Sequence, residues 1–136
     1  MFALRPNSST GLLVRAAIVG LTLATGWIHL TLGGLLFTLN GVGYMVAAAA
    51  LVLPIGLAVR FRWFIRIGLV AYAAASIVGW YLTGPRYDVA YMAKAIEIGL
   101  ILLLGVEVRA YDGNPIRHIQ HLLGLAPAPR AELEAR

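Results

Sequence analysis

The chain has 136 residues, of which 60% are hydrophobic and 12% charged, and its formal net charge is +5. A soluble domain carries about 25% charged residues. This composition, with a mean hydropathy of +0.82, therefore predicts an integral membrane protein made of one helical domain. The absence of cysteine excludes disulfides, thiolate metal sites and a cysteine nucleophile.

Four long apolar runs predict four membrane-spanning helices, at about residues 11–32, 35–59, 67–83 and 89–108. The pair Gly33-Gly34 ends the first helix, and so short a link makes the first two helices an antiparallel hairpin. Pro54 is expected to kink the second helix. We therefore expect an all-α, integral membrane four-helix bundle in up-down-up-down order over residues 11–109.

The two ends of the chain are polar. Residues 1–10 form a short entry segment, and the run after it is interpreted as a retained helix because no clear signal-peptide cleavage site precedes soluble sequence. Within residues 110–136, apolar side chains at helical spacing predict a short amphipathic helix on the membrane surface, followed by a mobile tail.

The basic residues are distributed unequally between the segments that connect the spans. With the N-terminus inside, nine arginines fall on the cytoplasmic side, and only Arg86 and Lys94 fall on the outer side. This positive-inside bias places both termini in the cytoplasm of a bacterial inner membrane. The segment between the second and third spans supplies the predicted interfacial anchors, which are Arg60, Arg62, Trp63 and Arg66. The same segment is not interpreted as a nucleic-acid site.

Lys94 and Glu97 lie inside the fourth apolar run, three residues apart on one helix face, where they can pair. Charges in hydrocarbon cost several kcal/mol by insertion scales and are usually hidden within a bundle. Residues of the other spans fall at a similar depth. The predicted polar layer consists of His29, Asn40, Tyr44, Trp80, Tyr91, Lys94 and Glu97.

Three interpretations of this layer stay open at the level of sequence. It is a structural network that satisfies hydrogen bonds between helices, a pocket for a solute, a quinone headgroup or a proton, or a surface that faces a partner subunit. No catalytic residue, metal ligand or cofactor is predicted. A tetrapyrrole held by His29 alone is a further alternative, and paired histidine ligands are excluded because His118 and His121 lie on the opposite side.

Small residues recur at close spacing on several spans. They include Ala16, Gly20 and Ala24 on the first span, and Gly68, Ala71, Ala75 and Gly79 on the third. Such stripes let helix backbones approach closely in lipid. They predict close packing within the bundle, self-association or docking onto a larger complex.

Several short motifs resemble those of a group of uncharacterised small bacterial four-span membrane proteins. They are WIHL at 27–30, LFTLNGVGY at 36–44, GWYLT at 79–83 and the glutamate of AIEIGL at 95–100. The resemblance covers about residues 16–108. It implies the four-span topology and an outer polar layer, and it implies no activity because the group has none established.

Without a catalytic constellation or phosphate loop, the sequence favours a non-enzymatic protein. The first hypothesis is an accessory or structural subunit of a larger membrane complex, in contact with lipids, other subunits or further copies of itself. The alternative is a small-solute or proton-coupled transporter that uses the Lys94–Glu97 pair in an outer-leaflet polar pocket.

Overall fold

A computed structural model describes residues 8–111 and Gln120 of this chain. Five helices follow one another: α1 (Ser9–Thr31), α2 (Leu35–Val52), α3 (Gly56–Arg60), α4 (Arg62–Thr83) and α5 (Asp88–Tyr111). No strand occurs in these residues. The predicted all-α class is confirmed there, whereas the entry segment before residue 8 and the predicted amphipathic helix lie outside the described residues.

Four of the helices are long and apolar enough to cross a membrane: α1, α2, α4 and the Asp88–Ala110 part of α5. Their mean hydropathy lies between 1.5 and 1.9 over an 18-residue window, which is typical of membrane-spanning segments. These helices suggest a multi-pass membrane protein.

Local sequence explains where α1 begins and where it ends. The Ser8 side chain accepts a hydrogen bond from the Gly11 amide at 3.1 Å, as an N-cap does. After Thr31 the chain turns through Gly33 and Gly34, whose φ angles are +72° and +86°. Residues other than glycine rarely adopt these φ angles, so the glycine pair fixes the tight link to α2.

The second predicted span was too long. Pro54 ends the helix rather than kinking it, because the residue before a proline is disfavoured in the helical conformation. Leu53 accordingly has φ −63° and ψ 129°. The chain resumes as the short helix α3, and α4 then begins at Arg62, five residues earlier than predicted.

The long helices pack side by side, with α1 against α2 and α5, and α4 against α5 and, less extensively, α2. The core between them contains Ile18, Tyr44, Leu69, Leu100 and Leu104. The end of α1, the start of α2, the end of α4 and the start of α5 meet at one end of the molecule.

The close approach of α1 to α2 uses glycines other than those in the predicted stripes. A Cβ on Gly41 of α2 would lie 2.8 Å from the Gly26 carbonyl oxygen and 2.7 Å from Leu30 Cγ of α1. In contrast, Gly20 on α1 and Gly68 on α4 have open space around them and are exposed. Gly20 and Gly68 therefore face outward, and the pair Gly26–Gly41 sets the distance between α1 and α2.

Candidate functional site

Glu97 is the centre of a polar cluster in which α1, α2, α4 and α5 meet. Its side chain has no exposed surface. The Oε1 atom accepts hydrogen bonds from Thr25 of α1 at 3.2 Å, Tyr44 of α2 at 3.0 Å and Ser76 of α4 at 3.0 Å. One carboxylate thus joins all four long helices.

Lys94 neutralises that carboxylate. Its ammonium nitrogen lies 2.6 Å from Glu97 Oε2 and also donates to Ser76 Oγ at 2.7 Å. The lysine side chain is only 9% exposed, so both charges are withdrawn from solvent. A buried pair of this kind needs good geometry and further hydrogen bonds to offset its loss of hydration, and Ser76, Thr25 and Tyr44 supply them.

His29 completes the cluster from the end of α1. Its Nδ1 lies 2.8 Å from the Thr25 carbonyl oxygen, which can only accept, so Nδ1 carries the hydrogen in this geometry. Its Nε2 lies 3.7 Å from Glu97 Oε1. Both ring nitrogens face groups of the protein, and a tetrapyrrole iron would first have to displace the contact with Glu97.

Asn40 and Tyr72 form an outer layer of the same cluster. The Asn40 amide donates to Ser76 Oγ at 3.3 Å, and the Tyr72 hydroxyl donates to the Asn40 backbone carbonyl at 3.1 Å. Ser76 therefore accepts two hydrogen bonds and donates one to Glu97, which uses the whole capacity of a hydroxyl. We call Thr25, His29, Tyr44, Ser76, Lys94 and Glu97 the Glu97 cluster.

Trp80 and Tyr91 do not join these hydrogen bonds. Their rings meet edge to face with centroids 5.2 Å apart, Trp80 donates to the Pro85 carbonyl at 2.8 Å, and Tyr91 is 52% exposed. The guanidinium of Arg86 lies 4.3 Å above the Trp80 ring. These residues form an aromatic group at the outside of the α4–α5 connection.

A cavity of about 620 Å³ opens beside the Glu97 cluster. Its walls come from the end of α1, from α2, α4 and α5 and from the α4–α5 connection, and most of its surface is apolar. The polar side chains of His29, Asn40, Ser76 and Lys94 lie along it. Drug-sized ligands occupy pockets of about 300–1,000 Å³ that combine apolar walls with a few polar groups, and this cavity has both properties.

Two members of the cluster were absent from the predicted layer. Thr25 lies one turn before His29 on the same face of α1, so helical periodicity could have indicated that it belongs to the layer. Ser76 is one hydroxyl in an otherwise apolar run, and only its contact with α5 identifies it. The sequence prediction did place His29, Asn40, Tyr44, Lys94 and Glu97 together.

A second buried carboxylate, Glu107, lies toward the other end of the helices. Its Oε1 lies 3.2 Å from Arg15 Nε of α1, and its Oε2 lies 3.0 Å from Arg66 Nε of α4. Glu107 and Arg66 are both almost fully buried. We call these three residues the Glu107 cluster.

The Glu107 cluster corrects one of the predicted interfacial anchors. Arg66 is enclosed by the ion pair with Glu107 rather than exposed to a headgroup layer. Arg60 is exposed, and Arg62 and Trp63 are half-buried. Buried carboxylates explain the difference, because a charge inside the protein attracts the nearest arginine inward.

Among residues 8–111 and Gln120, no group of three or more histidine, aspartate or glutamate side chains has the spacing of a metal site. The predicted surface histidines His118 and His121 lie outside these residues. Comparison with known proteins gives no match to a family model, to a curated protein or to a solved structure. The geometry of the chain is therefore the whole basis for its functional assignment.

Proposed function

We propose that this chain is a four-span protein of a bacterial inner membrane, arranged up-down-up-down, that binds a small amphiphilic solute in the cavity beside the Glu97 cluster. The single observation that carries the proposal is a cavity of about 620 Å³ whose polar side chains include Lys94 of a buried ion pair. Ionisable residues inside membrane spans are costly and commonly mark functional sites.

The membrane arrangement rests on contacts and on charge. The Glu97 cluster joins the end of α1, the start of α2, the end of α4 and the start of α5, as expected for alternating helix directions. The many arginines outside this end support a cytoplasmic location for both termini. The cavity then lies in the outer leaflet.

The charges of the cluster indicate the kind of solute. Lys94 and Glu97 balance each other, so the cavity offers no net charge to an ion. An ammonium group has three donors, and Lys94 uses two of them on Glu97 and Ser76. The third is suited to a carbonyl or hydroxyl oxygen of a neutral ligand.

The side chains of the cavity walls indicate the chemistry of the remainder of that ligand. Leu36, Leu39, Phe37 and Trp80 line the cavity, and α2 contacts α4 less extensively than it contacts α1. An apolar tail fits against these side chains, with the polar head toward Lys94. A quinone headgroup meets the description, since it is flat, neutral and rich in carbonyl groups.

Binding of this kind is the first step of solute transport. Beyond the cluster the interior is filled by Ile18, Leu100 and Leu104, so passage across the membrane would require the helices to move apart. We therefore place the buried pair at the floor of the binding site. Transport through a dimer or larger assembly is the extension of this proposal, and no enzymatic step is included.

Gly79 and Gly68 provide the test. Both are exposed glycines of α4 with open space at the Cβ position, but only Gly79 lines the cavity. Protein extracted gently from its native membrane is analysed by liquid chromatography and mass spectrometry for co-purifying small molecules. Wild-type protein and Gly68→Trp are expected to retain an amphiphile that Gly79→Trp loses. Equal retention by both variants, or no bound molecule in wild type, would overturn the proposal.

The role of accessory subunit, which is the first hypothesis from the sequence, is the second candidate here, and one observation favours it. Gly68, Ala71, Ala75 and Gly79 form an exposed face of small residues on α4, which suits close contact with another helix. Native gels of gently extracted protein test this candidate. A species of the mass of the chain or of its dimer, without a co-purifying partner, would contradict it.

A further inference from the structure

The imidazole of His29 brings to the cavity a nitrogen atom that the Glu97 cluster leaves without a hydrogen bond. His29 is 3% exposed and lines the cavity. Its Nδ1 lies 2.8 Å from the Thr25 carbonyl oxygen, which only accepts. In a neutral ring the hydrogen is therefore on Nδ1, and Nε2 carries a lone pair.

The carboxylate oxygen that faces Nε2 has no capacity for a further donor. Glu97 Oε1 lies 3.7 Å from Nε2, which is beyond the hydrogen-bond range of about 2.7–3.2 Å. A carboxylate has about four lone-pair sites, two on each oxygen. This oxygen already accepts hydrogen bonds from three hydroxyl groups, those of Thr25, Tyr44 and Ser76. A proton on Nε2 would thus lack an acceptor.

The other groups around His29 also favour a neutral ring. Lys94 lies 2.6 Å from the second oxygen of Glu97, so an imidazolium would add a positive charge to a pair that is already balanced. From α2, the rings of Tyr44 and Phe37 lie 5.6 Å and 6.3 Å from the imidazole. In the part of the chain that the structure describes, no side chain donates a hydrogen bond to Nε2. His29 therefore presents an acceptor at the cavity.

Lys94 presents the complementary donor. Two of its N–H groups serve Glu97 and Ser76, which leaves the third for a ligand. Lys94 and His29 face different oxygens of the same carboxylate, and both line the cavity. The cavity thus offers one donor and one acceptor within reach of a single ligand head.

We propose that the head of the ligand is a quinol, and that His29 selects this reduced form over the quinone. A hydroxyl group both accepts and donates, so a quinol accepts from Lys94 and donates to His29 Nε2. A quinone carbonyl only accepts, so it satisfies Lys94 and leaves Nε2 without a donor. No proton or electron is transferred in this step.

The cavity walls suit a flat ring that carries hydroxyl groups. Phe37, Tyr72 and Trp80 line the cavity, and aromatic side chains pack favourably against another ring. This inference rests on the proposed function, because it names the chemical class of the ligand for the same cavity. Its failure and the failure of the cavity itself are separated by the variants below.

The experiment is isothermal titration calorimetry of the full chain in detergent with decylubiquinol, kept reduced under argon, and with decylubiquinone. Wild-type protein is expected to bind the quinol about tenfold more tightly, the effect of one hydrogen bond to a buried acceptor. His29→Phe is expected to lose this preference and to bind the quinone like wild type. Trp27→Phe is the matched control, since Trp27 lies two residues away on α1 and is 65% exposed.

Nitrogen NMR of protein labelled at histidine tests the role of His29 without a variant that could misfold. His29 is identified by the signal that His29→Phe lacks. At neutral pH, its ring is expected to carry a hydrogen on Nδ1 alone, and the Nε2 signal is expected to shift with the quinol and not with the quinone. An imidazolium in the ligand-free protein would overturn the inference.

Gly79→Trp separates this inference from the proposed function. Equal affinities of wild-type protein for the two probes, with both lost in Gly79→Trp, would overturn the selection by His29 and leave the cavity as the binding site. Unchanged binding of both probes in Gly79→Trp would contradict the cavity itself. Failure of wild-type protein to bind either probe would overturn the quinol assignment, and the retained native amphiphile would then identify the ligand class.

Discussion

The two buried carboxylates of this chain are held in opposite ways. Glu97 is paired with one lysine of its own helix and receives hydroxyl hydrogen bonds from three other helices. Glu107 is paired with arginines of two other helices. The first arrangement pairs two residues of one helix and lies beside a cavity, whereas the second joins α5 to α1 and to the first turns of α4. The two buried carboxylates thus join helices toward opposite ends of the molecule, and the cluster around Glu97 borders the cavity.

The largest expected effect comes from Glu97→Gln. The amide keeps an oxygen for Tyr44 and Ser76 but leaves the Lys94 charge buried without its counter-ion. Breaking one side of a buried ion pair costs about 3–5 kcal/mol, and we expect that loss in equilibrium unfolding in mixed detergent micelles. A loss below about 1 kcal/mol would mean that Lys94 reaches water and that the cluster is not closed.

Glu107→Gln is expected to cost less, about 1.5–3 kcal/mol. Arg15 is 29% exposed and can turn toward the headgroup layer, whereas Arg66 stays buried. The same unfolding measurement compares the two glutamine variants directly. A larger loss of unfolding free energy in Glu107→Gln than in Glu97→Gln would mean that the Glu107 cluster is the more enclosed of the two. That result would contradict this expectation.

Gly41→Ala tests the helix approach that brings Tyr44 to Glu97. The added methyl group would collide with the Gly26 carbonyl oxygen and with Leu30, and overpacking of this kind costs about 1–3 kcal/mol. Gly20→Ala is the control on α1, where nothing lies within 4 Å. It should be neutral or slightly stabilising, because alanine is the better helix former. Similar unfolding free energies for the two variants would refute the close α1–α2 contact.

The smallest effect is predicted for Tyr44→Phe, which removes one of the donors to Glu97. Polar contacts between membrane helices average about 0.6 kcal/mol, and a loss of that order is expected because Thr25, Ser76 and Lys94 still serve the carboxylate. Tyr91→Phe, on an exposed ring outside the cluster, should leave the unfolding free energy unchanged. A larger effect at Tyr91 than at Tyr44 would contradict the assignment of the cluster.

Much of the Glu97 cluster could be predicted from the sequence, since a lysine and a glutamate in an apolar run must find partners at their own depth. Counting helix rise from each turn brought His29, Asn40 and Tyr44 to that depth. The hydroxyls of Thr25 and Ser76 were missed, because a lone serine or threonine in an apolar helix can bond its own backbone, as Thr22 does to the Ile18 carbonyl. For Thr25, the one-turn spacing from His29 was a usable signal, whereas Ser76 had none.

The Glu107 cluster was harder to predict because its arginines have two plausible environments. Near the end of a span, an arginine extends to the headgroups or turns inward toward an acid, and the sequence does not distinguish the two. Arg66 turned inward because Glu107 of α5 packs opposite it. The helix break at Pro54 follows from the backbone restriction that a proline places on the preceding residue. The orientation of Arg66 depends instead on the packing of α4 against α5.

The most direct test of the account is a double-mutant cycle on Lys94 and Glu97, measured as unfolding free energies of Lys94→Met, Glu97→Gln and the double variant. If the two charges neutralise each other inside the protein, each single change is strongly destabilising and the double variant is more stable than Glu97→Gln alone. If the double variant instead loses the sum of the two single effects, the charges do not interact, and the Glu97 cluster is not the enclosed pair on which the account rests.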